Sequence, residues 1–322
     1  MRRFARGLCL LVVLTGCGET DAPEWSSCED ARATALFLQV PSIELSNPVE
    51  EGDELPVLRW GEGVSDPEEL ATQSLALACI LTGDEVKARP ALLEWAESAV
   101  EGGDPDHHGV FDRDITLSLR QYGPRASLYV GHDVSARASL DEPSAEARAT
   151  ELVESLFEDG AVEGASIDDA SLVYFNRTIN GRDGTSETMT RLASVTWRAR
   201  AGRAHLGIDS VDAHIDDNGH VSSITVPLAR LYDEGERVRA EVAETDALSL
   251  FVEKAEAALT LEGWTVEDPV GQLSVPVRDP GDSVEMMWVG SYVPVSGDRQ
   301  RVGRGQGYFM SLSDPDAPLI DI

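Results

Sequence analysis

The segment "VDAHIDDNGHVSSITV", residues 211–226, constrains the fold of this chain more than any other stretch. Its central Asn218-Gly219 is the dipeptide preferred by two-residue type I′ turns, because both central residues of that turn need a positive φ. A turn at this point predicts a β-hairpin. Its register places four residues in two opposing pairs: Ala213 with Ile224, and Ile215 with Ser222.

That register sorts the side chains by polarity. One face carries only apolar residues: Val211, Ala213, Ile215, Ile224 and Val226. The other face carries only polar residues: Asp212, His214, Asp216, Ser223 and Thr225. Such alternation is typical of an antiparallel sheet with one buried and one hydrated face. We therefore expect the hairpin to belong to a sheet of this kind.

Two predicted helices with apolar stripes lie on either side of this hairpin in the sequence. The first stripe runs from Ala145 to Phe157 and ends at Gly160; the second runs from Leu248 to Leu259 and ends at Gly263. Strand-like runs follow each helix, and each set places a Trp in its second run. This repeated order predicts two α+β units, each a helix packed on an antiparallel sheet.

The region before these units is predicted to be mainly helical. The spacing of Ser65 and Glu68 is that of a capping box, and the helix that follows is expected to end at Gly83. A second helix is expected from Pro90 to Gly102, followed by two strands around Gly123-Pro124. The predicted fold class is α+β, with a helical region and terminal hairpin at 28–140 and the two units at 141–235 and 236–322.

The first 17 residues carry an export signal. Three arginines precede an apolar run from Leu8 to Leu14, which is far shorter than the roughly 20 residues of a membrane-spanning helix. The following Leu14-Thr15-Gly16-Cys17 resembles the lipobox of bacterial lipoproteins. That resemblance implies removal of residues 1–16 and lipidation of Cys17. An ordinary secretory signal with a chance cysteine is the alternative.

The lipoprotein resemblance also implies a location. Residues 17–27 are small, polar and acidic, as expected for a flexible tether between a lipid anchor and a folded body. Gly18 follows the lipidated cysteine, where many inner-membrane lipoproteins of Gram-negative bacteria carry Asp. We therefore expect a protein of the bacterial cell envelope, held by its lipid anchor, with the outer membrane as the default.

The charge of the chain limits its partners. It has 26 Lys and Arg residues against 58 Asp and Glu residues, a formal net charge of −32. Such a chain repels the phosphates of nucleic acids and of anionic lipids. We expect no nucleic-acid partner. Contact with the membrane is expected only through the lipid anchor.

Two cysteines remain for the mature body once Cys9 leaves with the signal and Cys17 is lipidated. In an oxidising compartment the pair Cys28 and Cys79 predicts a disulfide. Closing that loop of about 50 residues is worth roughly 4 kcal/mol in the chain-entropy model. The alternative is a buried thiol at Cys79, which lies within the apolar stretch "LALACIL".

The hairpin region also resembles a known class of exported bacterial domains. The stretches "LVYFNRTINGRDG" and "AHIDDNGHVSSI" look like the hairpin pattern of PepSY-like domains, with Asn180-Gly181 and Asp217-Asn218-Gly219 at the turns. Polar residues follow Gly181 where that family usually has apolar ones. The resemblance covers about 60 of the 322 residues and implies a binding or inhibitory module, as does the similarity to cystatin-like helix-on-sheet units.

Two acidic segments are candidate metal sites. In "DPDHHGVFDRD", Asp104, Asp106 and Asp112 occupy the first, third and ninth positions of a calcium-type loop, but Ile115 replaces the usual Glu at the twelfth. His108 in this segment is a possible zinc ligand. A solvated connector is the alternative for the whole segment.

The second candidate is the polar face of the predicted hairpin. Asp212, His214 and Asp216 alternate along one strand and therefore point to the same side. Such a trio can hold a divalent transition metal ion together with water. The alternative is a hydrated strand face without a ligand.

Signatures of common enzyme classes are missing from the sequence. It contains neither a GxSxG nucleophile elbow nor a Walker phosphate loop. We therefore expect a non-enzymatic module, without a cofactor, that binds an envelope protein, peptide or glycan. An envelope hydrolase, metal-assisted through one of the acidic segments, is the alternative.

Overall fold

The computed structural model describes residues 27–83, 89–102, 104, 106–111, 114–122, 125–133, 140–158, 161–168, 170–180, 186–208, 210–259, 264–296 and 305–322. Within these ranges the chain forms five helices and eighteen strands. The fold mixes helix and sheet and is dominated by strands, which confirms the broad α+β class. In the same ranges, no helix combines the length and the apolar character that crossing a bilayer requires.

The helices are α1 (Cys28–Thr34), α2 (Pro67–Thr82), α3 (Arg89–Glu101), α4 (Glu142–Glu158) and α5 (Glu244–Leu259). The strands of the first half are β1 (Leu38–Gln39), β2 (Glu54–Trp60), β3 (Asp106–Phe111), β4 (Ile115–Tyr122), β5 (Arg125–His132), β6 (Val162–Glu163), β7 (Ala165–Ile167), β8 (Ser171–Asn180) and β9 (Ser186–Trp197). Those of the second half are β10 (Ala199–Ala201), β11 (Ala204–Leu206), β12 (Val211–Ile215), β13 (Val221–Arg239), β14 (Trp264–Val275), β15 (Ser283–Glu285), β16 (Met287–Ser296), β17 (Gln306–Ser311) and β18 (Ile320–Asp321).

The first sheet runs in the order β3-β4-β5-β13-β12-β9-β8, and all its neighbouring strands are antiparallel. Helices α2 and α4 pack on one side of it, against β5, β9, β12 and β13, while α1 and α3 pack on α2. The buried side chains between helices and strands form the first core. Beyond this path, the far end of β13 pairs with β1 and β2, and through them with β6 and β15.

The second sheet runs in the order β18-β17-β16-β14-β11-β10-β7. Its pairs are antiparallel except β11 with β14, where His205 lies opposite Ser274 in a parallel register. Helix α5 packs on β14 and β16 through its buried face, which includes Phe251. Side chains from β2 and from the far half of β13 complete this second core. Strand β13 therefore contributes to both cores, with Leu228 in the first and Leu231 in the second.

The predicted hairpin forms, with one change in its turn. Ala213 lies opposite Ile224 as predicted, but Ile215 lies opposite Val221 rather than Ser222. The turn is a three-residue loop, because the N–H of Asp216 donates to the carbonyl of His220 at 2.9 Å. Gly219 has φ 80°, as the left-handed residue of such a loop requires. The two-residue type I′ turn was therefore wrong, while the register beyond it is confirmed.

The side chain of Asp216 accounts for this difference. It accepts hydrogen bonds from the N–H groups of Asn218 and His220, at 2.8 and 2.9 Å. These bonds hold an Asx-type turn that starts one residue earlier than the Asn-Gly dipeptide alone predicts. Next to the turn the pairing is therefore shifted by one residue. The predicted register is restored at His214, which lies opposite Ser223.

Helix α2 begins and ends close to its predicted limits. Its N-cap is Asp66, whose carboxylate accepts the N–H of Glu68 at 3.0 Å, rather than Ser65. Pro67 occupies the first turn, where no N–H is needed. Gly83, with φ 70°, ends the helix as predicted.

The predicted disulfide between Cys28 and Cys79 is present and joins α1 to α2. Their Cα atoms are 5.8 Å apart, within the usual range for a disulfide. Ala31 of α1 and Leu75 of α2 are buried in the same core. The disulfide therefore ties the start of the folded body to the main helix of the first core.

The strands do not sort between the sheets as the sequence suggested. The strand runs after the helix α4 were expected in one sheet, yet β7, β10 and β11 belong to the second sheet. The region 28–140 contributes β1 to β5 beside its three helices, and β5 pairs with β13. The reason is main-chain hydrogen bonding. Strand β11 pairs with the distant β14, and β10 and β7 join the second sheet through β11, because β10 pairs with both.

Candidate binding surface

The acidic segment with calcium-loop spacing is mostly a β-strand. Residues 106–111 form β3 and pair with β4, so the connector proposed for them was wrong. Asp104 accepts the N–H of Asp106 at 3.1 Å, and Asp106 Oδ1 lies 3.4 Å from Nε of Arg120. His108 is exposed on the strand. Asp112 lies outside the described residues.

The three members of the second acidic group share one sheet face but have separate roles. Asp212 accepts hydrogen bonds from the hydroxyls of Thr196 and Ser210, at 2.6 and 2.9 Å. His214 is exposed, and Asp216 is engaged in the turn. Across the described ranges, no three His, Cys, Asp or Glu side chains gather closely enough to hold a metal ion.

An open apolar patch lies at one end of the first sheet. Among the described strands, β8 is the last of this sheet and pairs only with β9. Three consecutive apolar side chains on β8 are exposed: Val173 by 47%, Tyr174 by 47% and Phe175 by 61%. A half-buried strand ordinarily alternates apolar and polar residues, so this run exposes more apolar surface than packing requires.

The three side chains divide between the two faces of the sheet. Tyr174 lies opposite Leu192, a buried residue of the first core, and thus points to the side that carries the helices. Val173 and Phe175 point to the other side, because side chains alternate along a strand. Patch and strand edge together present apolar groups on both faces beside the outer edge of β8.

Two glutamates of α4 lie beside Tyr174. Both carboxylates lie near enough to the Tyr174 hydroxyl for their negative charge to act on it, and Glu142 acts more strongly than Glu146. Partial burial, followed by these two carboxylates, raises the pKa of the Tyr174 phenol. We call the group Glu142, Glu146, Val173, Tyr174 and Phe175 the β8 surface. It is apolar on one flank and combines an aromatic ring with negative charge on the other.

The opposite end of the same sheet is built differently. Strand β3 is six residues long, and Trp95 of α3 packs over it, in edge contact with Phe111. Gly109 makes room for that indole, since a Cβ there would lie 2.4 Å from a Trp95 ring carbon. Val110 is a single exposed apolar residue, at 70%. Short length and a covering helix are usual devices for protecting a sheet edge.

A cleft lies near the second core, between β2, β13 and the residues that precede α2. It has a volume of about 450 Å³ and is lined by Arg59, Arg230 and Tyr232 among others. Both of its guanidinium groups are engaged: Arg59 with Glu234 at 2.8 Å, and Arg230 with Glu69 at 2.5 Å. The cleft therefore offers an anion little unmatched positive charge.

The second sheet contains a buried charged cluster that was not predicted from the sequence. His205 is 8% exposed, and its Nδ1 lies 3.5 Å from Asp168, which also pairs with Arg200. Burial lowers the pKa of His205; Asp168 opposes this effect, whereas Arg200 and Arg198 reinforce it. A tight turn at Gly202-Arg203 would have revealed the pairing, because it places Arg200 opposite His205.

The His205 side chain of this cluster is enclosed by protein and is not open to solvent. Its imidazole packs within the hairpin β10–β11, and Ser274 on the neighbouring strand donates its hydroxyl to the His205 carbonyl at 3.0 Å. A general base must be within hydrogen-bond reach of a bound substrate. With so little exposure, this His–Asp pair is better suited to fixing the hairpin than to catalysis.

No protein-family model matches this chain, and no match to it was found among curated proteins.

Proposed function

We propose that this protein is a lipid-anchored lipoprotein of the bacterial envelope that acts as a non-enzymatic binding module. In this proposal Cys17 carries the lipid, residues 17–27 form the tether, and the folded body binds an envelope protein or peptide through the β8 surface. The outer membrane is the proposed location. Glycan binding is a less direct fit, because the exposed apolar run lies on a strand edge.

The observation that carries the binding role is the exposed apolar run at the end of the first sheet. Natural sheets usually protect their edges, because unpaired main-chain groups promote association with other strands. The β3 end follows this rule, whereas β8 exposes Val173, Tyr174 and Phe175 together. Surface that is costly for solubility and unnecessary for packing is typical of an interaction site.

The proposed anchor limits where the partner lies. Helix α1 begins at Cys28, with Ser27 as its N-cap, so about ten residues separate it from Cys17. Fully extended, that tether spans roughly 35 Å. A body held at this distance reaches proteins in or beside the same membrane. The hydrolase alternative rests on sequence pattern, and no contact among the described residues favours it.

The binding role is tested by photo-crosslinking from position 175. p-Benzoylphenylalanine replaces Phe175 in the full-length protein in bacterial envelopes, and Val110 in the matched control at the protected edge. We expect a discrete crosslinked product from position 175 and none from position 110. Equal products from both positions, or none from either, would contradict a role for the β8 surface.

The anchor is tested separately by metabolic labelling with palmitate. We expect label in the parent protein and its loss in Cys17→Ser, which should also leave the membrane fraction. Retention of label in that variant would contradict the assignment of Cys17. Because the anchor and the surface are read out independently, one assignment can fail without the other.

A further inference from the structure

We propose that the β8 surface is occupied by an extended segment of a partner protein, in which basic and apolar residues alternate, added as a strand to β8. This inference rests on the proposed binding function and names the chemical class of the partner. It follows from three observations: the outer edge of β8, which pairs with none of the other described strands, the different character of its two flanks, and the charge of the chain.

The edge of β8 provides the main-chain partner. Strand β8 is ten residues long and, among the described strands, pairs on one side only, with β9. Its main-chain N–H and C=O groups on the other side are arranged to pair with an incoming strand. Peptide recognition of this kind takes affinity from main-chain hydrogen bonds and specificity from alternate side chains.

The two flanks of β8 determine which side chains suit the incoming strand. Neighbouring strands place directly opposed residues on the same face, about 5 Å apart. On the helix side, the incoming residue meets Tyr174 together with Glu142 and Glu146, an environment that favours Lys or Arg through charge pairing and cation–π contact. On the other side of the sheet, the alternate residues of the incoming strand meet Val173 and Phe175, which favour apolar side chains. The segment that matches both flanks alternates basic and apolar residues.

The overall charge also favours a basic partner over a second copy of this chain. Two copies, each with a net charge of −32, repel one another, and pairing β8 with β8 brings four glutamates together. A cationic segment is attracted from a distance and is oriented by the same field. Complementary charge therefore selects the partner, and strand pairing fixes its register.

The direct test uses synthetic peptides of roughly ten residues, enough to pair along the whole of β8. One peptide alternates Lys and Val. A second has the same composition arranged as a block of Lys followed by a block of Val, and a third alternates Glu and Val. Binding to the non-lipidated Cys17→Ser protein is measured by fluorescence anisotropy at about 0.15 M salt, so that long-range attraction is screened.

We expect the alternating Lys–Val peptide to bind about tenfold more tightly than the block peptide. The alternating Glu–Val peptide should show no saturable binding. Equal affinity of the two cationic peptides would overturn the proposal, since it would reduce the interaction to net charge.

Matched variants locate the interaction. Val173→Thr/Phe175→Thr removes apolar surface from one flank but introduces a residue that is favoured in strands. This variant should weaken binding about tenfold. Val110→Thr, at the other end of the sheet, should leave affinity unchanged.

The acidic flank is tested by a second pair of variants. Glu142→Gln/Glu146→Gln should weaken binding about threefold, whereas Glu151→Gln/Glu154→Gln removes two charges from the same helix and should have no effect on binding. Equal losses in a variant and its control would contradict the assigned flank.

Amide hydrogen exchange provides a readout of strand pairing itself. Bound alternating peptide should slow exchange within residues 171–180 and leave β3 unchanged. Binding without protection of β8 would overturn strand addition. A stable dimer of the unliganded protein that Val173→Thr/Phe175→Thr dissociates would also overturn the proposal, in favour of a second copy as the occupant.

The two proposals fail in distinguishable ways. If crosslinking from position 175 captures a partner but the alternating peptide does not bind, the binding role stands and the partner class is wrong. If neither crosslinking nor peptide binding occurs, the β8 surface is not a binding site.

Discussion

The two halves of the molecule differ in how their cores are stabilised and in where their sheets carry exposed apolar or buried charged side chains. The first core is sealed by four helices and the Cys28–Cys79 disulfide, while its sheet leaves β8 exposed at one end. The sheet of the second core carries a buried charged cluster around His205, on the face opposite to the core residues Ala204 and Leu206. The first half of the molecule therefore combines a helical side reinforced by a disulfide with a strand that, among the described residues, is left exposed at the end of its sheet.

The largest test of this contrast removes the disulfide. Cys28→Ala/Cys79→Ala opens a loop of 51 residues and should lower the free energy of unfolding by about 4 kcal/mol in the chain-entropy model. Urea denaturation measures the total. Hydrogen exchange should show the loss concentrated in α1 and α2, with α5 and β16 less affected.

The control for this experiment is the reduction of the parent protein. Dithiothreitol should reproduce the loss in the parent and have no effect on the double variant. Uniform loss of protection across both cores would show that they unfold as one unit, coupled through β13. That outcome would contradict the expectation that the disulfide stabilises the first core more than the second.

The second core is probed by a smaller, local change. Gly290 on β16 faces the ring of Phe251, and a Cβ there would lie 2.7 Å from three ring carbons. Phe251 is fully buried and has little room to move. Gly290→Ala should therefore destabilise the protein by roughly 1–3 kcal/mol, with exchange increasing first in α5 and β16.

Gly305→Ala is the matched control for this overpacking. A Cβ at Gly305 meets its nearest neighbour, the Tyr292 carbonyl oxygen, at 3.6 Å, an ordinary contact. Its effect on the free energy of unfolding should be within about 0.5 kcal/mol. Equal destabilisation by both substitutions would contradict the tight packing of Phe251 against β16.

Local elements were predictable because their determinants are close in sequence. The end of α2 depends on Gly83, and the pairing of Ala213 with Ile224 depends on a turn a few residues away. Even there, the carboxylate of Asp216 changed the turn, since a side chain competing for main-chain N–H groups is not visible in a dipeptide pattern.

Sheet membership was not predictable for the opposite reason. His205 and Ser274 pair across the sheet although about 70 residues separate them, and no alternation pattern specifies that choice. The same holds for the candidate site. The run from Leu172 to Phe175 predicts a strand, but its exposure depends on β8 being the last of the described strands in the sheet, which is a property of topology. The excess of consecutive apolar residues was the available signal.

The third prediction concerns pH and the buried cluster of the second sheet. Burial lowers the pKa of His205 from its ordinary value of 6.5, with Asp168, Arg200 and Arg198 around it. The unfolded chain therefore binds a proton more readily than the folded one as the pH falls below about 6.5. The stability that the neutral imidazole permits is complete above that pH and is lost progressively below it.

His205→Gln removes this titration while keeping a polar side chain. Between pH 7 and 5, approximately, the parent should lose more stability than the variant, by at most about 1.4 kcal/mol per pH unit. His214→Gln, which removes an exposed histidine of the first sheet, is the control and should follow the parent. Parallel pH profiles for the parent and His205→Gln would contradict the assigned burial effect.

The smallest expected effect is the most informative for function. Val173→Thr/Phe175→Thr should change the free energy of unfolding by less than about 0.5 kcal/mol, because both side chains are about half exposed or more and Thr is favoured in strands. Urea denaturation checks this value. A loss of 2 kcal/mol or more, on the order of a core truncation, would show that the two side chains are part of the packing. A small change combined with the loss of peptide binding would separate recognition from stability, since a residue selected for folding cannot be removed without energetic cost.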